Sequence, residues 1–195
     1  MPVICVFGDS TAWGAWDLDQ GGWVNRLWLN YANGEEETYV YNLSVSGGTT
    51  ETILERFESE AKVREADVII FQSGGNDSAY DHESKDPLVA SGQFADNLEK
   101  IISKAQSLTN KIIFMGFTNC LESQTKPVSW CNLCYDNQRI KEYNDIMKAV
   151  CLKYNLLFID VFGILDDADF VDGLHPNASG HKKILEMVQK HLMII

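Results

Sequence analysis

A serine, a histidine and an aspartate stand in loops that directly follow predicted strands. Ser10 ends the stretch VICVFGDS, in which five apolar residues give way to a glycine and a carboxylate. Asp172 and His175 lie together in DGLHP, near the other end of the chain. A serine hydroxyl becomes a nucleophile when a base takes its proton, histidine is the usual base, and a carboxylate can orient the imidazole. These residue types indicate acyl transfer, with Ser10 attacking and His175 accepting the proton.

The spacing within DGLHP supports a pairing of the acid with the ring. Asp172 and His175 are three residues apart, so one turn can bring the carboxylate under the imidazole. Pro176 disfavours a helical conformation of His175 and can aim its ring away from the helix that follows. A backbone carbonyl could orient the ring instead of Asp172.

An acyl transfer also needs hydrogen-bond donors for the oxyanion of the tetrahedral intermediate. The backbone N–H groups of Ser10 and of a glycine in the Gly47–Gly48 pair could supply two of them, because a glycine lets the chain approach the substrate closely. The side-chain amide of Asn76 could supply a third donor without adding charge.

Short apolar runs alternate with stretches of helical periodicity about five times along the chain. The runs are rich in Val, Ile and Phe and predict strands that are buried on both faces, at residues 3–7, 40–43, 68–72, 112–116 and 156–159. This alternation predicts a parallel sheet with helices on both faces. Ligands of such sheets bind beyond the carboxyl ends of the strands, where Ser10, Gly47, Asn76, Asp172 and His175 all fall.

Helices are expected between these strands. Apolar residues recur at helical spacing around residues 24–31, 94–102 and 140–154, with Trp28 counted on the buried face of the first. Residues 50–65 and 179–192 also predict helices, the last one with Asn177 as its N-cap. No linker or repeat divides residues 1–195, so we expect a single domain. The least regular segment runs from Asn119 to Asp136 and is the candidate lid or substrate loop.

Charge excludes some functions. The chain has 195 residues and a formal net charge of −12, which repels nucleic acids and anionic membrane surfaces. A small, neutral substrate is expected rather than a nucleic acid. The apolar stretches are too short to span a membrane and no leader is visible, so a cytoplasmic protein is expected. The sequence does not indicate an oligomeric state.

Four sequence blocks resemble those of the GDSL family, also called SGNH hydrolases. They are GDS at residues 8–10, NLSVSGGTT around Gly47, GGND at 74–77 and DGLHP at 172–176. They follow the family's order and span nearly the whole chain. The resemblance implies a flavodoxin-like, three-layer α/β/α sandwich with a five-stranded parallel sheet.

The resemblance also implies roles for individual residues. Ser10 corresponds to the nucleophile, and Asp172 and His175 to the rest of the triad. The Ser10 amide, Gly47 rather than Gly48, and Asn76 correspond to the oxyanion donors. The first block here ends in threonine, as GDST rather than GDSL, a substitution that the pattern tolerates.

These residues predict a metal-independent serine esterase that uses no cofactor and prefers short acyl chains. The same machinery is compatible with a lysophospholipase, a thioesterase or a carbohydrate deacetylase. An acyltransferase and a non-catalytic binding module are two further candidate functions.

Several polar and aromatic residues have simpler explanations than catalysis. Asp9 is expected to hydrogen-bond loop amides, and Asp77 to brace its loop. Ordinary surface or helix positions are expected for His82, His181 and His191. Among the tryptophans that follow Ser10, some are expected to pack under the first helix while one or two line an acyl or sugar pocket; these are Trp13, Trp16 and Trp23.

The five cysteines are odd in number, which argues against a fully paired disulfide framework. Cys131 and Cys134 form a CxxC, but no second CxxC and no histidine close in sequence completes a zinc site. They are expected to be unremarkable thiols, with a metal or redox site as the alternative.

Overall fold

A five-stranded parallel sheet forms the centre of the molecule in the computed structural model, which describes residues 1–34 and 37–192. The strands are β1 (Val3–Gly8), β2 (Tyr39–Asn42), β3 (Val68–Gln72), β5 (Lys111–Met115) and β7 (Leu157–Ile159). Their order across the sheet is β2-β1-β3-β5-β7. The sheet predicted from the sequence is confirmed, and each strand begins and ends within one residue of its predicted range.

Helices cover both faces of the sheet. They are α1 (Ser10–Trp13), α2 (Gly22–Ala32), α3 (Thr50–Val63), α4 (Gly75–Ser78), α5 (Ser91–Ala105), α6 (Asn137–Lys153) and α7 (Ala178–Leu192), with a 3-10 turn at Asp167–Asp169. As expected, Asn177 caps α7, since its Oδ1 accepts hydrogen bonds from the amides of Ser179 and Gly180. The short helices α1 and α4 are too brief to show a periodic pattern, so the sequence does not predict them.

The two faces of the sheet bury different side chains because successive residues of a strand point to opposite sides. Phe7 of β1 packs against α3 in a cluster of aromatic rings that includes Phe57 and Phe71. On the other face, Val6 packs with Trp23 of α2 and with residues of α7. The three-layer sandwich expected from the resemblance is therefore present.

Two sequence-based expectations about burial are wrong. Trp28 is exposed, because the buried stripe of α2 runs through Val24 and Leu27 and leaves the indole to one side. Strand β2 is not buried on both faces: it lies at the edge of the sheet, and Tyr39 and Tyr41 are exposed.

The segment from Asn119 to Asp136 is more ordered than its composition suggests. Within it, β6 (Leu133–Cys134) pairs with β4 (Tyr80–Asp81) in a small antiparallel sheet. The segment also contributes Cys120, Val128 and Tyr135 to a third apolar cluster. Two-residue strands are too short to show alternation, so only the structure reveals them.

Among the described residues, no helix is long and apolar enough to cross a membrane.

Candidate active site

Ser10 is placed by the sharp turn from β1 into α1. Gly8 ends the strand, Asp9 is the N-cap, and Ser10 is the first helical residue. A Cβ on Gly8 would lie 2.6 Å from Cβ of Ala12 and from the carbonyl oxygen of Gln72, so only glycine allows the helix to start this close to β3. The turn presents a largely buried serine at the carboxyl edge of the sheet.

Asp9 shapes this turn, as the sequence suggested. Its Oδ1 accepts a hydrogen bond from the Thr11 amide across 2.9 Å, while Oδ2 has no partner among the described residues. The side chain is fully buried. Burial disfavours the charged form and raises the pKa of Asp9 to about 7, although the Thr11 amide and nearby His175 favour ionisation.

The three predicted triad residues form one chain of hydrogen bonds. Ser10 Oγ lies 2.9 Å from Nε2 of His175, and Nδ1 of His175 lies 2.8 Å from Oδ2 of Asp172. With Nδ1–H donating to the carboxylate, Nε2 is left as the acceptor for the serine hydroxyl. The turn expected within DGLHP is present, and the carboxylate, not a backbone carbonyl, contacts the ring.

Asp172 is held by four hydrogen-bond donors. Oδ1 accepts from the amides of Leu174 and His175, and Oδ2 accepts from the His175 ring and, across 3.1 Å, from the indole N–H of Trp16. Burial opposes ionisation of this carboxyl, but the hydrogen bonds from His175 outweigh it, and the pKa of Asp172 lies below its usual range. The contact with Trp16 spans 156 residues of sequence, and no local signal indicates it.

Asn76 stands in the first turn of α4, with both ends of its amide engaged. Nδ2 donates to the carbonyl oxygen of Gly48 across 2.9 Å, and Oδ1 accepts from the hydroxyl of Tyr135 across 2.8 Å. A carbonyl can only accept, so the nitrogen must face Gly48 and the Tyr135 hydroxyl must be the donor. Sequence reasoning missed Tyr135, which lies 59 residues from Asn76.

Gly47 and Gly48 differ in what their amides do. The Gly48 amide donates to the carbonyl oxygen of Val45 across 2.9 Å, closing a turn. The Gly47 amide has no acceptor among the described residues, and Gly47 is exposed with φ +77°, a left-handed conformation that favours glycine. Of the two amides, that of Gly47 is free to bind a ligand.

Asp77 braces the loops around the site, as expected. Its carboxylate accepts hydrogen bonds from the backbone amide and the hydroxyl of Thr50, and so ties α4 to the first turn of α3. Burial raises the pKa of Asp77 to about 6, despite these donors. The carboxylate is thereby occupied within the protein.

A cavity of about 680 Å³ adjoins the triad on the side of His175 and Asp172. Three of its walls are the exposed indoles of Trp13, Trp16 and Trp130. The ring centroids of Trp130 and His175 are 5.5 Å apart. Trp23, in contrast, is fully buried, so the tryptophans that follow Ser10 divide between the core and the cavity.

His181 lies in a helix, as expected, but it is not an ordinary helix residue. It is fully buried: its Nδ1 accepts from the Trp23 amide, and its Nε2 donates to the carbonyl oxygen of Ala15. Burial lowers the pKa of this ring, which therefore stays neutral and joins α7 to the segments that follow β1.

The CxxC residues lie in different surroundings. All five cysteines are free; Cys134 is buried and Cys131 is exposed. His82, distant in sequence, has its Nδ1 3.4 Å from the sulfur of Cys134, so a histidine does lie near the CxxC. Within the described part of the chain, no group of three or more His, Cys, Asp or Glu side chains could hold a metal ion.

Comparison with known proteins indicates the family of this chain. The model of the GDSL-like Lipase/Acylhydrolase family matches residues 6–183. A GDSL esterase/lipase from Arabidopsis thaliana is 29% identical over 209 residues, covering 97% of this chain and 79% of the relative.

Solved structures share the fold. The lipase/acylhydrolase from Enterococcus faecalis superposes with a TM-score of 0.81 at 25% identity, covering 98% of this chain and 95% of that one. An acetylxylan esterase from Geobacillus stearothermophilus gives a TM-score of 0.78 at 19% identity, with 98% and 94% covered.

Fold, site and comparisons together define a carboxylic ester hydrolase with the SGNH hydrolase fold. The chain belongs to the GDSL-like lipase/acylhydrolase family.

Proposed function

We propose that this esterase acts through an acyl-serine intermediate formed on Ser10. The observation that supports this most directly is the continuous chain of hydrogen bonds from Ser10 Oγ through the His175 ring to Asp172. As Oγ attacks the ester carbonyl carbon, Nε2 of His175 takes the hydroxyl proton. The charge that develops on the ring is stabilised by Asp172, whose lowered pKa keeps it ionised at neutral pH.

Three groups would bind the oxyanion. The Ser10 amide is the first of α1 and therefore has no acceptor within the helix. The Gly47 amide has no acceptor in the described part of the chain, unlike that of Gly48. Asn76 Nδ2 uses one hydrogen for the Gly48 carbonyl and keeps the other for the substrate oxygen. These donors are held in place before the substrate binds. They therefore stabilise the charge that develops in the transition state without having to reorganise.

The reaction then completes in three proton transfers. His175 returns its proton to the ester oxygen of the leaving alcohol as the bond to the acyl carbon breaks. A water molecule next attacks the acyl-serine, gives its proton to Nε2 and leaves as part of the carboxylic acid, while Ser10 Oγ regains a proton from the ring. None of these steps requires a metal or a cofactor.

The substrate is a small-molecule ester, and we propose that it is uncharged and carries a short acyl chain. The net charge of −12 disfavours anionic substrates and nucleic acids. Thioesters, lysophospholipids and acylated carbohydrates remain alternatives for the same site, as does transfer of the acyl group to an alcohol.

We infer that residues 1–195 form a single domain, because α2 and α7, from opposite ends of the chain, pack on the same face of one sheet. We also propose a cytoplasmic location, since five free cysteines are typical of a reducing compartment. Cell fractionation with activity detection tests the location.

Hydrolysis of p-nitrophenyl esters from acetate to palmitate, with EDTA present, tests the proposed function. Wild type should turn over the short chains fastest, and Ser10→Ala should be inactive. Ser59→Ala, an exposed serine on α3, serves as the matched control and should match wild type. Near-wild-type turnover by Ser10→Ala would refute the mechanism, and a rate that peaks at palmitate would refute the short-chain preference. Adding acceptor alcohols and measuring transfer product against free acid separates a hydrolase from an acyltransferase.

A further inference from the structure

The tryptophan-lined cavity lies to one side of the nucleophile. His175, Asp172 and Ser46 form part of its wall, together with Trp13, Trp16 and Trp130, whereas Asn76 does not. The cavity therefore opens on the histidine side of Ser10, and not on the side of the Asn76 amide.

This position relates the cavity to one part of the substrate. In the tetrahedral intermediate on Ser10, the oxyanion points to the amide donors. The leaving oxygen must come within hydrogen-bonding reach of Nε2 of His175, which protonates it. The group attached to that oxygen is the alcohol, and it extends past the His175 ring, where the cavity begins.

The walls indicate what kind of alcohol fits. The indoles of Trp13, Trp16 and Trp130 are each about half exposed, at 57%, 54% and 50%. Flat apolar surfaces of this kind stack on aromatic rings and on the C–H faces of saturated rings. A volume of about 680 Å³ is far larger than a methyl or ethyl group needs.

The charges around the cavity disfavour an anionic alcohol. Of the described residues, neither a lysine nor an arginine lines it. Its two carboxylates are already occupied: Asp17 accepts two hydrogen bonds from Arg26, and Asp172 accepts its four donors. A phosphate-bearing alcohol would find no cation among these wall residues.

We propose that this cavity is the binding site for the leaving alcohol of the ester, and that it selects an alcohol that is built on a ring and carries no negative charge. This inference rests on the proposed function of Ser10 and His175. An acceptor alcohol would bind at the same site, because an alcohol that attacks the acyl-serine approaches along the path by which the leaving alcohol departs.

A series of acetate esters tests the assignment. The alcohols are ethanol, cyclohexanol, phenol and the hydroxyl of a methyl glycoside, and the acyl group stays constant, so every ester gives the same acetyl-enzyme. Wild type should prefer ring alcohols over ethanol in kcat/KM, and Trp13→Ala should reduce that preference about tenfold, the scale of one lost aromatic contact. Comparing the phenol ester with the glycoside ester shows whether the cavity prefers an aryl ring or a sugar ring.

Trp28→Ala is the matched control, since Trp28 is an exposed tryptophan on α2 outside the cavity wall. It should leave the ring-to-ethyl ratio unchanged. The proposal is overturned if Trp13→Ala leaves that ratio at the wild-type value. It is also overturned if Trp13→Ala alters selectivity along a series of acyl chains on one alcohol, because the cavity would then hold the acyl group.

A binding measurement distinguishes failure of the proposed alcohol site from failure of the proposed esterase mechanism. Calorimetric titration of phenol and methyl glycosides into Ser10→Ala should show binding, and adding Trp13→Ala to Ser10→Ala should weaken its affinity about tenfold. Binding without turnover of any ester would retain the site and refute the esterase mechanism. Turnover that depends on Ser10, without binding of any ring alcohol, would refute the proposed alcohol site and retain the esterase mechanism.

Discussion

The hydroxyl of Tyr135 donates a hydrogen bond to Oδ1 of Asn76, and the distance between the two atoms is 2.8 Å. Both side chains are nearly fully buried. Burial raises the pKa of the Tyr135 hydroxyl, so it remains a donor across the physiological range. This bond and the one to the Gly48 carbonyl set the amide in a single orientation, with its nitrogen toward the loop that contains Gly47. Tyr135 is therefore a positioning residue for the proposed oxyanion donor.

Removing this hydroxyl should slow the chemical step. In Tyr135→Phe the amide loses one of its two restraints, and kcat should fall about tenfold, the scale of one net hydrogen bond, with little change in KM. Affinity for a boronic acid, which forms a tetrahedral anion on the serine, should fall by a similar factor. Steady-state kinetics and boronate inhibition measure both.

Tyr143→Phe is the control for this substitution. Tyr143 is also a buried tyrosine whose hydroxyl donates to a protein oxygen, the carbonyl of Val89, but it does not contact Asn76. Tyr143→Phe should lower the melting temperature of the protein and leave its affinity for the boronic acid unchanged. Equal boronate affinity in Tyr135→Phe and wild type would show that the Tyr135 contact is only structural.

Loss of the Asn76 amide should be more severe. In Asn76→Ala the substrate oxygen loses a donor, and kcat should fall roughly 10²–10³-fold, as for other side-chain oxyanion donors. The rate is to be compared at equal folded fraction, since the contact with Gly48 is also lost. Activity equal to wild type would exclude Asn76 from the oxyanion site.

Neutralising Asp172 should disable the base. In Asp172→Asn the ring loses the carboxylate that accepts its Nδ1 proton, and kcat should fall roughly 10³–10⁴-fold, as for the corresponding change in serine protease triads. Asp160→Asn, at the half-exposed end of a surface ion pair with Lys148, should behave like wild type. A loss of less than tenfold in Asp172→Asn would show that the ring does not need this acid.

Asp9 should make stability depend on pH. Its folded pKa of about 7 lies above the value near 3.9 of an unfolded aspartate. Between those pH values the folded state binds more protons than the unfolded one, so this residue's contribution to stability falls as pH rises and is lowest above pH 7. The effect is about 4 kcal/mol at most by linkage.

Thermal melting of wild type and Asp9→Asn at pH 5 and pH 8 measures this contribution. The variant cannot acquire the buried charge, so its melting temperature relative to wild type should rise from pH 5 to pH 8. A difference that stays constant between the two pH values would mean that Asp9 does not titrate in this range.

The sequence predicts the sheet and the contact between Asp172 and His175 well, for different reasons. Buried strands such as β3 are uninterrupted apolar runs, and Asp172 and His175 meet through a turn of four residues. The local sequence pattern determines both the strands and this turn.

Contacts between distant segments could not be predicted in this way. Tyr135 meets Asn76, Trp16 meets Asp172, and His181 meets Ala15 only because the layers of the fold bring them together. A histidine on an amphipathic helix has the same local signature whether its partners lie in solvent or in the next layer, so the sequence does not reveal that His181 is buried.

Covalent labelling with a fluorophosphonate, read by intact mass and peptide mapping, tests directly whether Ser10 is the nucleophile. Wild type should gain the mass of one phosphonyl group on the peptide that contains Ser10, and Ser10→Ala should gain none. Labelling of Ser10→Ala to the same extent as wild type, or labelling of wild type at another residue, would contradict the assignment of Ser10 as the nucleophile.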